Sequence, residues 1–317
     1  MHLRIGSRGS QLALWQAHHV EALLIAAGHQ VSIEVIRTTG DRLQGVSFAK
    51  VGTKGMFTKE IEEALLEGRI DLAVHSLKDL PTELHPDFAL AAIPERADPR
   101  DAFVSQNFSS FASLPPGSRI GTSSLRRQSQ LRSYRSDLEY IEFRGNVDTR
   151  LRKLSEGLAE ACLLACAGLD RLQKVEFLRE RLSAEIVCPA AGQGALAIEI
   201  RASASSATPA HDADVRQALA FLDHPATRFA VTAERAALHA LGGGCQVPIG
   251  IYCQQHQQGS DLHWAIRGSV LHPASTPGPS ASIRVSMDHR HEEDPVSLGR
   301  RLAEELLHQG AGALLTL

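Results

Sequence analysis

Twice along this chain a short apolar strand gives way to a polar loop and then to a helical period, and this repeated alternation restricts the fold more than any other feature. Residues 3–6 form the first such strand. Ser7-Arg8-Gly9-Ser10 breaks it, and Leu12, Trp15, Val20, Leu23, Leu24 and Ala27 follow at near-helical spacing. A second strand is expected at 31–36. Thr58 is placed to cap a helix carrying Ile61, Ala64 and Leu65 that stops at Gly68, and 70–74 reads as a strand buried on both faces, as in a parallel sheet. The same order recurs from Asp101. Strands are expected at 101–104 and 119–121, a helix from Ser123 or Ser124, a strand at 138–143, a helix at 147–156, and strands at 161–165 and 195–200. The small, polar stretch 202–209 reads as a linker. Beyond it a helical pattern at 215–241 leads into alternating strands at 249–253, 262–270 and 282–287 and a last helix at 296–308, which is an α+β pattern.

The 317 residues exceed what one compact core usually holds, so two or three domains are expected. Lys plus Arg total 33 against 36 Asp plus Glu, a net charge of -3, so there is no global positive field to hold polyanions. The first residues lack the apolar core and cleavage site of a secretion signal, and no apolar run approaches the roughly 18 to 20 residues of a membrane span. A cytoplasmic protein is expected. The five cysteines, Cys162, Cys166, Cys188, Cys245 and Cys253, contain no Cys-x-x-Cys pair, which argues against a disulfide framework and a structural zinc site.

Between Arg119 and Arg152 lie eight arginines and no lysine. A guanidinium holds a carboxylate or phosphate through two bonds, which an ammonium does not, so the bias suits an anion site. Thr122-Ser123-Ser124-Leu125-Arg126-Arg127 also sits at a strand-to-helix turn, where backbone N–H groups and the helix dipole favour anions. The plainer alternative is a solvated face paired with Asp137, Glu139 and Glu142. Arg8 and Ser10 fall on another such turn, so two regions would present anion-binding loops to a common ligand. Lys50-Val51-Gly52-Thr53-Lys54-Gly55 lacks phosphate-loop spacing, and either a closing segment with glycine hinges or a solvated loop fits it. His75-Ser76-Leu77-Lys78-Asp79-Leu80-Pro81 follows a buried strand, at the sheet edge where α/β proteins bind ligands. Asp79 there is either a chemical group or a turn aspartate capping local backbone, and His75 is as readily a packed polar residue as a functional one. His18-His19 and His289-x-His291 lack companion ligands and read as solvent-facing. Three glycines, 242–244, precede Cys245 and leave its sulfur unshielded, which suits an attachment point, whereas Cys162 and Cys166 lie in an apolar strand as inert packing.

Together, Ser7-Arg8-Gly9-Ser10 with Leu12-Ala13-Leu14-Trp15-Gln16-Ala17, the segments 50–57, 75–81 and 121–128, Arg144-Gly145-Asn146-Val147, and the segments 189–199 and 243–250 closely resemble the porphobilinogen deaminases, also called hydroxymethylbilane synthases. The resemblance runs nearly end to end. It implies an α/β fold of two lobes similar to periplasmic-type binding proteins, plus a small C-terminal α+β domain. Domain one would be discontinuous, 1–95 with 190–208; domain two, 96–189, would hold an arginine-rich cleft; domain three would span 215–317. It also implies a transferase that polymerises four porphobilinogen molecules head to tail into hydroxymethylbilane with loss of ammonia. The cofactor would be a dipyrromethane, joined by a thioether to Cys245.

Asp79 matches the family's catalytic aspartate. Arg8, Arg126, Arg127, Arg144, Arg150 and Arg171 match arginines that hold acetate and propionate groups. Ser10, Lys50, Lys54, Ser76, Lys78, Thr122, Ser123 and Ser124 match further contacts, and Phe57 a ring near the pyrroles. Gln11, Thr53 and Asp148 depart from the family pattern; Thr53 would alter loop mobility, and Asp148 would divert Arg150 into a local pair. A cytoplasmic monomer is expected, with porphobilinogen as its partner and neither nucleic acid nor membrane. Two rival classes explain less. A non-catalytic two-lobed carboxylate-binding protein predicts no cysteine-bearing third domain, and an RNA-binding protein explains the arginines alone.

Overall fold

The structure, a computed structural model, describes residues 1–42, 58–202, 208–243, 247–258, 261–272, 282–290 and 292–315. Lys50, Thr53, Lys54, Phe57 and Cys245 lie outside them. The chain divides into two compact units, Met1–Arg96 with Ala195–Thr227, and Ala97–Gly194 with Arg228–Leu317.

Strand β1 (His2–Ser7) leads into helix α1 (Gln11–Ala26), and β2 (Gln30–Val35) returns beside it. A short α2 (Thr39–Arg42) and α3 (Lys59–Leu66) precede β3 (Leu72–Ser76) and β4 (Phe88–Ala92). The second unit begins with β5 (Asp101–Val104) and β6 (Arg119–Gly121), then α4 (Leu125–Arg132), β7 (Glu139–Ile141), α5 (Val147–Ser155), β8 (Ala161–Ala165), α6 (Cys166–Arg171) and β9 (Leu178–Leu182). Strand β10 (Leu196–Arg201) and α7 (Pro209–Leu219) belong to the first unit. The chain then forms α8 (Pro225–Ala240), β11 (Ile249–Gln258), β12 (Asp261–Leu271), β13 (Ser282–Asp288), α9 (Pro295–His308) and α10 (Ala311–Leu315).

The first two sheets share one topology. Their orders are β2-β1-β3-β10-β4 and β7-β6-β8-β5-β9. In each, three parallel strands are followed by an antiparallel fourth, which pairs antiparallel with the edge strand. The third sheet, β11-β12-β13, is antiparallel and packs on α8 and α9, completing a fold of two α/β sheets and a small α+β portion. Its core sets Ile251, Cys253, Ile266 and Val270 against Leu298, Leu302 and Leu306 of α9 and Ala233 and Ala237 of α8. Gly299 permits that approach, because a Cβ there would lie 2.2 Å from the Ala233 carbonyl oxygen.

In the first unit Leu3 and Ile5 of β1 bury against Ala17, Val20 and Leu24 of α1, on a core that also holds Leu72, Val74, Ile198 and Ile200. Full burial of a side chain of this size stabilises the fold by about 1.5–3 kcal/mol. Val215, Leu219 and Leu222 join the same core, although the sequence pattern assigns 215 onward to the third domain. A helical period says which face is buried and not which sheet it meets.

Other elements differ locally from expectation. The strand expected at 70–74 runs Leu72–Ser76, which brings His75 into the ladder. The pattern at 215–241 is two helices: α7 ends at Leu219, a 3-10 turn spans Ala220–Leu222, and Pro225 opens α8 where its missing N–H is not needed. Cys166 opens α6 and is not in the strand. Thr58 occupies the N-cap position of α3 without a side-chain capping bond. Among the described residues no helix is long and apolar enough to cross a membrane.

Candidate active site

Strands β1 and β3 run parallel, so the segments after them emerge at the same sheet edge. After β1, Ser10 caps α1 and accepts a hydrogen bond from Ala13 N at 3.3 Å, leaving the positive end of a sixteen-residue helix beside Arg8. After β3, a single 3-10 turn, Leu77–Asp79, carries the aspartate. Leu77 and Leu80 are buried on either side of it, and Leu77 N donates to Ala195 O at 3.0 Å. Gln16 Nε2 donates to Ser76 Oγ at 2.9 Å, tying α1 to the start of that turn. Arg8, Ser10, Gln16, Thr58, His75, Ser76 and Asp79 line one open concavity.

Asp79 is exposed, and its carboxylate makes no hydrogen bond or ion pair among the described residues. The alternative of a turn aspartate capping local backbone therefore lacks its bond. Lys78 lies beside it on the same turn.

The second unit repeats the layout. Thr122, Ser123 and Ser124 follow β6, Arg144 follows β7, and Arg171 ends α6, which follows β8 directly. Ser124 caps α4, Thr122 Oγ1 accepts from Ser124 N at 3.2 Å, and Ser123 Oγ accepts from Phe143 N at 3.0 Å. These hydroxyls hold the loops in shape. Asn146 caps α5, from which Arg150 Nε reaches back to Gly145 O at 2.8 Å. Arg144 pairs with Glu142.

Arg126 and Arg127 are not on a solvated face. Both are buried around Asp101, the wholly buried first residue of β5. Asp101 Oδ2 accepts from Arg126 Nη1 at 2.8 Å, and Oδ1 accepts from Arg127 Nε and Nη2 at 2.9 and 2.7 Å and from Gln193 Nε2 at 3.0 Å. Arg126 Nη1 also donates to Cys188 O, and Arg127 Nη1 to Leu163 O. Arg126 Nε and Nη2 make no further bond among the described residues. Burial pulls the pKa of Arg171 down to about 10, an effect that Asp170 only partly offsets, and Arg171 Nη2 donates to Gly194 O.

Other arginines pair with carboxylates both near and far in sequence. Arg119 pairs with Glu160, Arg152 with Glu156, and Arg135 with Asp137. Asp148 pairs with Lys174 at 2.9 Å, a residue distant in sequence, where a local pair with Arg150 was expected.

Neither Asp101 nor Glu199 was a candidate from sequence. Glu199 interrupts the apolar strand 195–200, and that placement was the available signal. No group of three or more His, Cys, Asp or Glu that could hold a metal ion occurs among the described residues.

The cysteines separate by burial. Burial pushes the Cys162, Cys166 and Cys188 thiols up to about 12, and Cys253 is buried in the third core. These four should resist a maleimide at neutral pH and react after denaturation. Labelling any of them in the native protein would contradict that assignment.

The family model for the "porphobilinogen deaminase, dipyromethane cofactor binding domain" matches residues 3–208, and that for the "porphobilinogen deaminase, C-terminal domain" matches 228–308. The chain belongs to the porphobilinogen deaminase family. The porphobilinogen deaminase of Syntrophomonas wolfei is 45% identical over 315 residues, covering 99% of this chain and 97% of that protein. That of Roseiflexus sp. is 48% identical over 315 residues, covering 99% and 98%. Among solved structures, the methionine-binding protein MetQ is similar at 12% identity and a TM-score of 0.41, covering 68% of this chain and 89% of that one. The C-terminal family domain begins at residue 228, after α7, which packs on the first core.

Proposed function

We propose that this chain polymerises four porphobilinogen molecules head to tail into hydroxymethylbilane with loss of ammonia, on a dipyrromethane primer held as a thioether by Cys245. The observation that carries the mechanism is the Asp79 carboxylate, which lines the concavity without a bonding partner among the described residues. The primer, when bound, supplies a pyrrole α-carbon to which each new unit is joined.

Asp79 accepts hydrogen bonds from pyrrole N–H groups. As the aminomethyl C–N bond breaks and its electron pair leaves on ammonia, positive charge develops on the ring, and the facing carboxylate offsets it. Asp79 would face the ring while the primer's α-carbon is joined, and the ammonia just released would carry the displaced proton away as ammonium. Arg8 and the amino end of α1 offer cationic and N–H contacts to the acetate and propionate groups.

Arg144, Arg150 and Arg171 are proposed for the same task, with Ser10, Ser76, Lys78, Thr122, Ser123 and Ser124 as further contacts. Arg126 fits through Nε and Nη2, whereas Arg127 already directs Nε and both Nη atoms at protein oxygens, so its contribution is to hold Asp101. Lys50, Lys54 and Phe57 complete the proposed set. Every side chain in this reading comes from one chain, so it requires no second copy, and we place the enzyme in the cytoplasm as a monomer.

The test is the intact mass of protein purified from cells that make porphobilinogen. It should exceed the sequence mass by two porphobilinogen units less two ammonia, with the addition on the Cys245 peptide. An unmodified Cys245 peptide in fully active enzyme would sink the attachment.

A further inference from the structure

Five acidic residues are buried among the described residues, Asp71, Asp101, Glu199, Asp212 and Glu234, and four of them have both oxygens bonded. Arg4 reaches both oxygens of Asp71, Arg126 and Arg127 those of Asp101, and Arg201 those of Asp212, while Glu234 accepts from Gly192 N and Cys253 N. Glu199 differs. It is wholly buried, its Oε2 lies 3.0 Å from His75 Nε2, and its Oε1 has no hydrogen-bond partner among the described residues. Leaving a buried carboxylate oxygen unsatisfied is unfavourable, so the fold does not account for this residue as it does for the other four.

Its place in the sheet suggests why it is there. The β10–β4 register shifts between Ile198 and Glu199, a local irregularity of the kind that re-aims a side chain and is common beside active sites. On the other side of β10, Glu199 stands opposite Ala73 of β3, so its bond to His75 runs diagonally along one face of the two strands. His75 lines the concavity that holds Asp79, and the next residue, Ser76, opens the turn that ends in Asp79. Among the described residues this is the one side-chain bond between β3 and β10, and it ties Glu199, at the Ala73 rung, to His75, the residue just before Ser76.

We propose that Glu199, acting through His75, is a positioning residue for the Ser76–Asp79 turn. The proposal rests on the role given to Asp79 above. Asp79 acts on charge that develops only as the C–N bond breaks, so misplacing it lowers kcat and leaves KM nearly unchanged, while lost carboxylate anchors would raise KM. Glu199→Leu removes the acceptor at similar volume and should lower kcat on the order of 10- to 100-fold, the scale on which small misplacements act. Glu199→Gln still offers an oxygen to His75 Nε2–H and should restore kcat to within about threefold of the parent. Thermal melting should hold in the double variant His75→Leu/Glu199→Leu, because exchanging both partners of a buried bond for apolar groups is often neutral or stabilising, whereas Glu199→Leu alone strands the buried His75 Nε2–H and should melt lower.

The experiment compares Glu199→Leu, Glu199→Gln, His75→Leu and the double variant His75→Leu/Glu199→Leu, with Asp79→Asn as reference. It records kcat, KM, the His75 Nε2–H resonance in ¹⁵N-histidine protein, and amide exchange at Leu77 and Leu80. The resonance should persist in Glu199→Gln and vanish in Glu199→Leu, amide exchange should quicken only where the bond is lost, and the double variant should be no slower than either single one. An inactive Asp79→Asn beside a Glu199→Leu of normal kcat would overturn the proposal, as would equal loss in the Leu and Gln variants. An active Asp79→Asn would overturn the role of Asp79 instead, and unchanged exchange at Leu77 and Leu80 would then reject the positioning claim by itself.

Discussion

Asp79→Asn should fold, melt as the parent does, and turn over on the order of 10² to 10⁴ times more slowly. The retained stability follows from the geometry. The side chain is exposed and bonds to nothing among the described residues, so the amide breaks no contact there, while buried Leu77 and Leu80 keep the turn in place. Exposed substitutions of this kind usually change stability by about 0.5 kcal/mol or less. The lost rate follows from charge. An amide has the shape of a carboxylate and still accepts a hydrogen bond from a pyrrole N–H, but it cannot offset a full positive charge. KM should change little, because the cationic contacts that hold the substrate carboxylates are untouched. Steady-state kinetics beside a thermal melt checks both halves, and activity within about threefold of the parent would assign Asp79 to the turn alone.

The two α/β sheets were legible because their strands are short apolar runs between polar loops, and because Ser10 and Ser124 each stand where a helix starts. The turn at Asp79 was legible for the same reason, since a loop after a parallel strand falls at a known edge. What the chain order hid was partnership across distance. The arginine cluster pointed to carboxylates, and Asp137 and Glu142 were found nearby, but Asp101 is 25 residues from Arg126 and lies on another strand. Glu160 and Lys174 are remote in the same way. Periodicity reports which face of an element is buried, and it cannot report which ion is buried with it. Val215 and Leu219 show the same limit, as their pattern fits two different sheets equally well and the two pack on the first core.

Asp101→Asn should destabilise the protein by about 3–5 kcal/mol at neutral pH, because removing one member of a buried ion cluster leaves the others without a counter-charge. Here two guanidiniums are stranded. Arg126 and Arg127 are both buried, and the four hydrogen bonds that Asp101 accepts from them and from Gln193 lose their anionic acceptor. Burial alone would raise the Asp101 pKa, but the two arginine charges and their hydrogen bonds outweigh it and hold the carboxyl well below the usual carboxylate range. An unfolded aspartate titrates near about 3.9, so just below that pH the unfolded chain binds a proton that the native chain refuses. The stability from Asp101 is therefore fully present above about pH 4 and declines as the pH falls toward its folded pKa. Asp71 and Asp98 are also held low, so acid still weakens the variant, but with a shallower slope. Denaturant unfolding at pH 7 and at about pH 3 should give a gap between parent and Asp101→Asn that narrows in acid. A gap under about 1 kcal/mol at pH 7 would mean that the arginines find other partners, and a gap independent of pH would mean that the loss is one of packing rather than charge.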